Sequence, residues 1–122
     1  ISTQSGVLSS VHYSFAKRFE NEPGTNPEEL ITAALASCFT MKLAFLVVEG
    51  NLKPERLETN ATFTMEKEEK GWVTKGIHLE VKGKVAGANK RQFSELVERA
   101  KNECPMSKII STNKTAEGIL ID

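Results

Sequence analysis

Apolar residues follow two different periods along this 122-residue chain, and the changes of period mark out its elements. Leu57, Thr59, Ala61, Phe63 and Met65 alternate with polar neighbours, the two-residue period of a half-buried strand. After the charged stretch "EKEEKGW" (66–72), Ile77, Leu79, Val81 and Val85 repeat the alternation, which predicts a hairpin. Gly76 and Gly83 are expected at bulges in its return strand. Nearer the start, residues 1–8 and 11–19 predict two short strands joined by a Ser-rich turn, with Val11, Tyr13 and Phe15 on one face. Pro-Gly in "ENEPGTN" (20–26) marks a loop. The stretch "TAEGILI" (115–121) predicts a last strand.

Between these lie two helical patterns. In "GTNPEELITAALASCFTM" (24–41), Asn26 suits an N-cap, Pro27 the first helical position, and Glu29 the third residue after the cap, where a capping box takes an acid. Glu28 and Glu29 also favour the positive end of the helix dipole. Apolar residues then continue to Val48, and Gly50 is a natural stop. They occur all round the helix, so burial on most faces is expected. The length would suit a bilayer. Thr32, Ser37, Thr40 and Lys42 interrupt it, however, and a central helix covered by sheet or by a second copy of the chain is the better account. A second helix starts near Asn89, with Phe93, Leu96, Val97, Ala100 and Cys104 on one stripe. Pro105 breaks it, leaving Cys104 at a helix junction before the short helix 105–110.

The order ββ–α–ββ–α–β predicts an α+β fold: one domain over 1–122, with an antiparallel sheet packed on a long central buried helix. Sixteen basic residues balance sixteen acidic ones, so no net field draws in nucleic acid or an anionic membrane, and neither is an expected partner. No secretory leader is evident, and the expected location is cytoplasmic. Two cysteines are too few for a disulfide scaffold and fit no zinc spacing. His12 and His78 lie far apart, so neither a metal site nor a histidine-assisted cysteine hydrolase is expected.

Each cysteine alone reads as a buried, inert thiol. A reactive one needs a group that favours thiolate, such as a cation, and Arg18 is the candidate. Joined together, the pieces form a pattern. The chain resembles the family of osmotically inducible protein C (OsmC) and the organic hydroperoxide resistance proteins (Ohr). The likeness runs through "RFENEPGTNPEELITAALASCFTM" (18–41) and "RAKNECPMSKII" (99–110), and is nearer the OsmC branch. Members of that family usually begin with a further strand, so an N-terminal strand is expected to be missing here.

The resemblance implies a thiol-dependent peroxidase that uses no metal or bound cofactor. Cys38 corresponds to the peroxidatic cysteine and Cys104 to the resolving cysteine. Arg18 corresponds to the arginine that activates the thiolate, and Glu28 to the glutamate that orients that arginine. Leu35, Phe39 and Met41 would line the substrate site and favour organic hydroperoxides over hydrogen peroxide. A Cys38–Cys104 disulfide would be reopened by an external dithiol or lipoylated reductant. The resemblance also implies an intertwined homodimer. Helix geometry agrees: Glu28 and Cys38 are ten residues apart, about 15 Å of rise on a continuous helix. Either the helix breaks, or Arg18 and Glu28 serve the Cys38 of a second chain. The competing expectation is a binding or structural protein of the same fold without activity.

Overall fold

In a computed structural model, residues 1–13 and 24–122 are described. They fall into two compact units, Ile1–Ile31 and Thr32–Asp122.

In the first unit the expected strands do not form among the described residues; 14–19 lie outside them. The chain instead closes on itself. The Ile1 amino group donates to the Val11 carbonyl at 2.7 Å, and the Val11 N–H returns to Ile1 at 2.8 Å. Hydroxyl side chains take backbone donors that a sheet would have used: Ser2 Oγ accepts from the Ser10 N–H at 2.8 Å and Thr3 Oγ1 from the Leu8 N–H at 3.1 Å. Gly6 and Ser10, both at positive φ, turn the chain. An isolated parallel bridge instead joins Tyr13 to Thr25, in the stretch expected to be a loop.

Helix α1 spans Pro27–Glu49 without a break. Asn26 caps it as expected, its Oδ1 accepting the Glu29 N–H at 2.8 Å. The Glu29 carboxylate accepts from the Thr25 hydroxyl. At the other end Gly50 donates to Leu46 at 3.1 Å, and Asn51 takes the left-handed conformation that closes the helix. Burial on most faces is not what this chain achieves. Thr32, Leu35, Phe39, Leu43, Leu46 and Val47 are buried, while Met41, Phe45 and Val48 stand exposed. One sheet covers one side of a helix only.

Strands β1 (Lys53–Glu68), β2 (Gly71–Ala86) and β3 (Lys114–Leu120) form one sheet in that order. The hairpin is longer than the alternation predicts, leaving only Glu69 and Lys70 for the turn. A register shift between Thr64 and Met65 confirms a bulge beside Gly76. The second shift lies between Pro54 and Arg56, not at Gly83, which pairs regularly with Leu57. Gly83 has a different task. A Cβ there would lie 2.5 Å from Phe93 Cζ, and one on Gly118 would lie 3.0 Å from Phe93 Cε2. The two glycines on adjacent strands make the seat for that ring.

Helix α2 (Lys90–Glu103) begins with a complete capping box between Asn89 and Gln92, and α3 (Pro105–Ile109) follows directly. Both lie in the connection from β2 to β3, which explains a departure from the expected all-antiparallel sheet. The hairpin is antiparallel, but β3 joins β2 in parallel. A connection this long can bring the chain back to the end of the sheet from which β2 sets out. The core gathers the buried side of α1 with Ile77, Leu79, Val81 and Val85 of β2 and Phe93, Val97 and Ala100 of α2.

Candidate functional site

Cys38 lies midway along α1, on the border between its two sides. At about 100° per residue, Leu35, Phe39 and Leu43 fall to one side of it and Met41, Phe45 and Val48 to the other. Its side chain is half-buried against the core. Cys104 owes its position to Pro105, which cannot continue α2 and holds the preceding residue extended (φ −67°, ψ 139°). Cys104 thus ends α2, its N–H donating to Ala100 at 3.0 Å, and also starts α3. It is fully buried.

The fold brings these two thiols together. Both are free, both belong to the same core cluster, and Cys38 is near enough to act on the ionisation of Cys104. Burial is the main influence that pushes the Cys104 thiol above its ordinary pKa. The Ser107 backbone N–H opposes it, the charge and hydrogen bond of Cys38 add to it, and the Lys114 ammonium opposes it more weakly. Cys104 is therefore held as a neutral thiol beside a more accessible partner.

Around the pair runs a frame of polar contacts. Lys42, one turn beyond Cys38, reaches Glu103 at 3.9 Å, and Arg99 Nε donates to the same carboxylate at 3.0 Å. Thr40 and Thr59 share a 2.6 Å hydroxyl contact that ties α1 to β1. Lys114, at the start of β3, donates from Nζ to the carbonyls of Ile110 and Thr112. Nothing in the spacing of the sequence singles out Lys114: nine residues, five of them in a short helix, separate it from Cys104. Only the "CPMS" stretch hints at Ser107, which is buried.

Other sequence candidates are distributed differently. Leu35 and Phe39 have no exposed surface, whereas Met41 is 74% exposed, so the three do not line one open surface. Glu28 sits in the first turn of α1, and Arg18 lies outside the described residues. His78 points away from the core, between buried Ile77 and Leu79, and its Nδ1 lies 2.7 Å from Thr115 Oγ1. That face is opposite the thiols, so His78 cannot serve Cys38 as a base. Among the described residues no group of His, Cys, Asp and Glu could hold a metal ion. Two adjacent thiols of unequal access can pass between dithiol and disulfide.

Residues 19–117 match the family described as OsmC-like protein. The chain is 38% identical to the peroxiredoxin OsmC of Escherichia coli over 117 residues, covering 96% of this chain and 82% of that one. It is 32% identical over 93 residues to the organic hydroperoxide resistance protein OhrA of Bacillus subtilis, covering 75% and 64% of the two chains. The crystal structure of OhrB from Bacillus subtilis superposes with a TM-score of 0.74 at 28% identity, covering 98% of this chain and 87% of that one.

Proposed function

This chain belongs to the OsmC-like family, and on that premise we propose that it is a cysteine-based peroxidase that reduces organic hydroperoxides. The observation that carries the reading is the adjacency of the Cys38 and Cys104 thiols. In the proposed cycle the Cys38 thiolate attacks the terminal peroxide oxygen. The O–O bond breaks, the alcohol leaves with a proton, and Cys38 becomes a sulfenic acid. The Cys104 thiol then condenses with it, forming a disulfide and releasing water. An external dithiol, free or lipoylated, reopens the bridge and is itself oxidised to a disulfide. No bound cofactor is required, and a reducing compartment such as the cytoplasm supplies such dithiols.

The roles divide according to environment. Cys104, buried and held neutral, suits the resolving step, and the half-buried Cys38 suits attack on a substrate arriving from outside. Arg18 would hold Cys38 ionised and meet the charge that develops on the alkoxide, with Glu28 orienting it. Because α1 is unbroken, Glu28 cannot reach Cys38 along its own helix. The partner subunit's Arg18 and the partner subunit's Glu28 would act instead. The exposed stripe of Met41, Phe45 and Val48 beside Cys38 supports a homodimer, since a second copy seated there would cover it. Met41, apolar and exposed beside Cys38, favours an organic hydroperoxide, with hydrogen peroxide the poorer substrate.

The test is a thiol titration before and after one equivalent of cumene hydroperoxide. Two thiols per chain should disappear together in the wild type. Cys38→Ser should lose none, and Cys104→Ser should lose only Cys38, to a sulfenic acid trappable by dimedone. Unchanged thiols in the wild type would leave a non-catalytic binding protein as the reading.

A further inference from the structure

Glu103 is the last residue of α2, and the helix itself gives no reason for a carboxylate there. The negative end of the helix dipole disfavours an anion, so its position is explained by what it touches. Its two oxygens are divided between two cations. Oε2 accepts from Arg99 Nε at 3.0 Å, one turn back along α2. Oε1 lies 3.9 Å from Lys42 Nζ on α1. Lys42 in turn has its Nζ 5.1 Å from the centre of the Phe45 ring, a contact that limits where its long side chain can go. Sequence position gives the ion pair its meaning. Lys42 is four residues after Cys38 and so shares its side of α1. Glu103 directly precedes Cys104. The pair therefore crosses from α1 to α2 beside the same gap that a Cys38–Cys104 bond must close, and both cysteines belong to the core cluster that the two helices share.

We propose that Glu103 is a positioning residue: gripped by Arg99 and Lys42, it holds the turn of α1 after Cys38 against the end of α2 before Cys104, and so favours closure of the disulfide. The joining of two thiols of one chain is governed by their effective concentration, which rises when the segments that carry them are held in register. Cys104 ends one helix and starts the next, so a tie one residue before it fixes the junction on which its sulfur depends. Arg99 orients the carboxylate, and Lys42 supplies the tie to the other element. All three side chains are partly exposed, so salt weakens the clamp. The inference rests on the two thiols forming a disulfide, as the peroxidase reading requires, but not on what oxidises them.

The experiment equilibrates the protein, without any hydroperoxide, in mixtures of reduced and oxidised lipoate. Closing the protein disulfide passes two electrons and two protons from Cys38 and Cys104 to the oxidised lipoate, whose own S–S bond opens. Acid quenching, alkylation and mass spectrometry count the closed fraction. Lys42→Gln and Glu103→Gln should each shift the equilibrium towards the dithiol roughly threefold, typical of losing one exposed ion pair. For this two-electron couple that is about 14 mV. The double variant should shift it no further, because either substitution alone already removes the tie. At about 1 M salt, where charges are screened beyond ~3 Å, wild type and variants should converge. A loss of stability shared equally by the two redox forms leaves this equilibrium unmoved, so a merely structural role gives no shift. No shift in the single variants, shifts that add in the double variant, or a difference that persists in high salt would each overturn the clamp. So would a shift confined to Lys42→Gln, which would mean that Lys42 acts on Cys38 directly. The expected shifts in a chain that ignores hydroperoxides would sink the peroxidase reading alone, and thiols that never pair would sink both.

Discussion

At the scale of single residues, the Cys104 thiol is more deeply buried than that of Cys38. Burial raises the pKa of Cys104 in the folded chain, and that has a consequence for stability. Above an ordinary thiol pKa of about 8.5, the unfolded chain loses the Cys104 proton while the folded chain keeps it. The unfolded state then binds fewer protons, so stability falls as pH rises from there towards the folded value. Urea midpoints of the reduced protein should decline across this range more steeply than those of Cys104→Ala. Parallel pH profiles for the two proteins would contradict the assignment. Glycine also acts at this scale. The bare backbone of Gly83 and Gly118 admits the Phe93 ring, a role that alternation along a strand does not reveal.

At the scale of elements, end signals were the most legible features. Asn26 caps α1, Gly50 follows its last residue, Asn89 and Gln92 form a capping box, and Pro105 divides α2 from α3. These are local effects, decided by side chains within three or four residues of the backbone they satisfy, so a sequence displays them directly. Asn89→Ala removes the side-chain acceptor for the Gln92 N–H and should destabilise the protein by about 1 kcal/mol. A thermal melt should register this as a drop of several degrees. Asn89→Asp should recover most of it, since its carboxylate can accept the same bond. The strand expected over residues 1–8 went the other way: Ser and Thr hydroxyls within reach of the backbone gave the Leu8 and Ser10 N–H groups other partners.

For the whole molecule, the side of α1 that the sheet leaves uncovered is the feature that most requires explanation. Met41, Phe45 and Val48 are more than half exposed, in a row beside Cys38. With a second copy seated there, the wild type should sediment as a dimer. Phe45→Glu should sediment as a monomer and lose most hydroperoxide turnover, because Arg18 and Glu28 would no longer reach the opposite Cys38. Its Cys38–Cys104 disulfide should still form with diamide, both sulfurs being on one chain. A monomeric wild type with full turnover would remove the shared site.

By itself the sequence determined the helices and their ends, and the hairpin and its bulge at Gly76. All of these are written in periods and spacings of a few residues. The tertiary structure alone decided that β3 returns parallel to β2, that Phe93 sits between two glycines, that α1 is covered on one side only, and that Lys114 is held by the Ile110 and Thr112 carbonyls. Those outcomes depend on where the long β2–β3 connection carries the chain and on which surfaces remain for packing. Sequence spacing constrains such distances only weakly, because residues far apart along the chain meet wherever burial of apolar surface brings them.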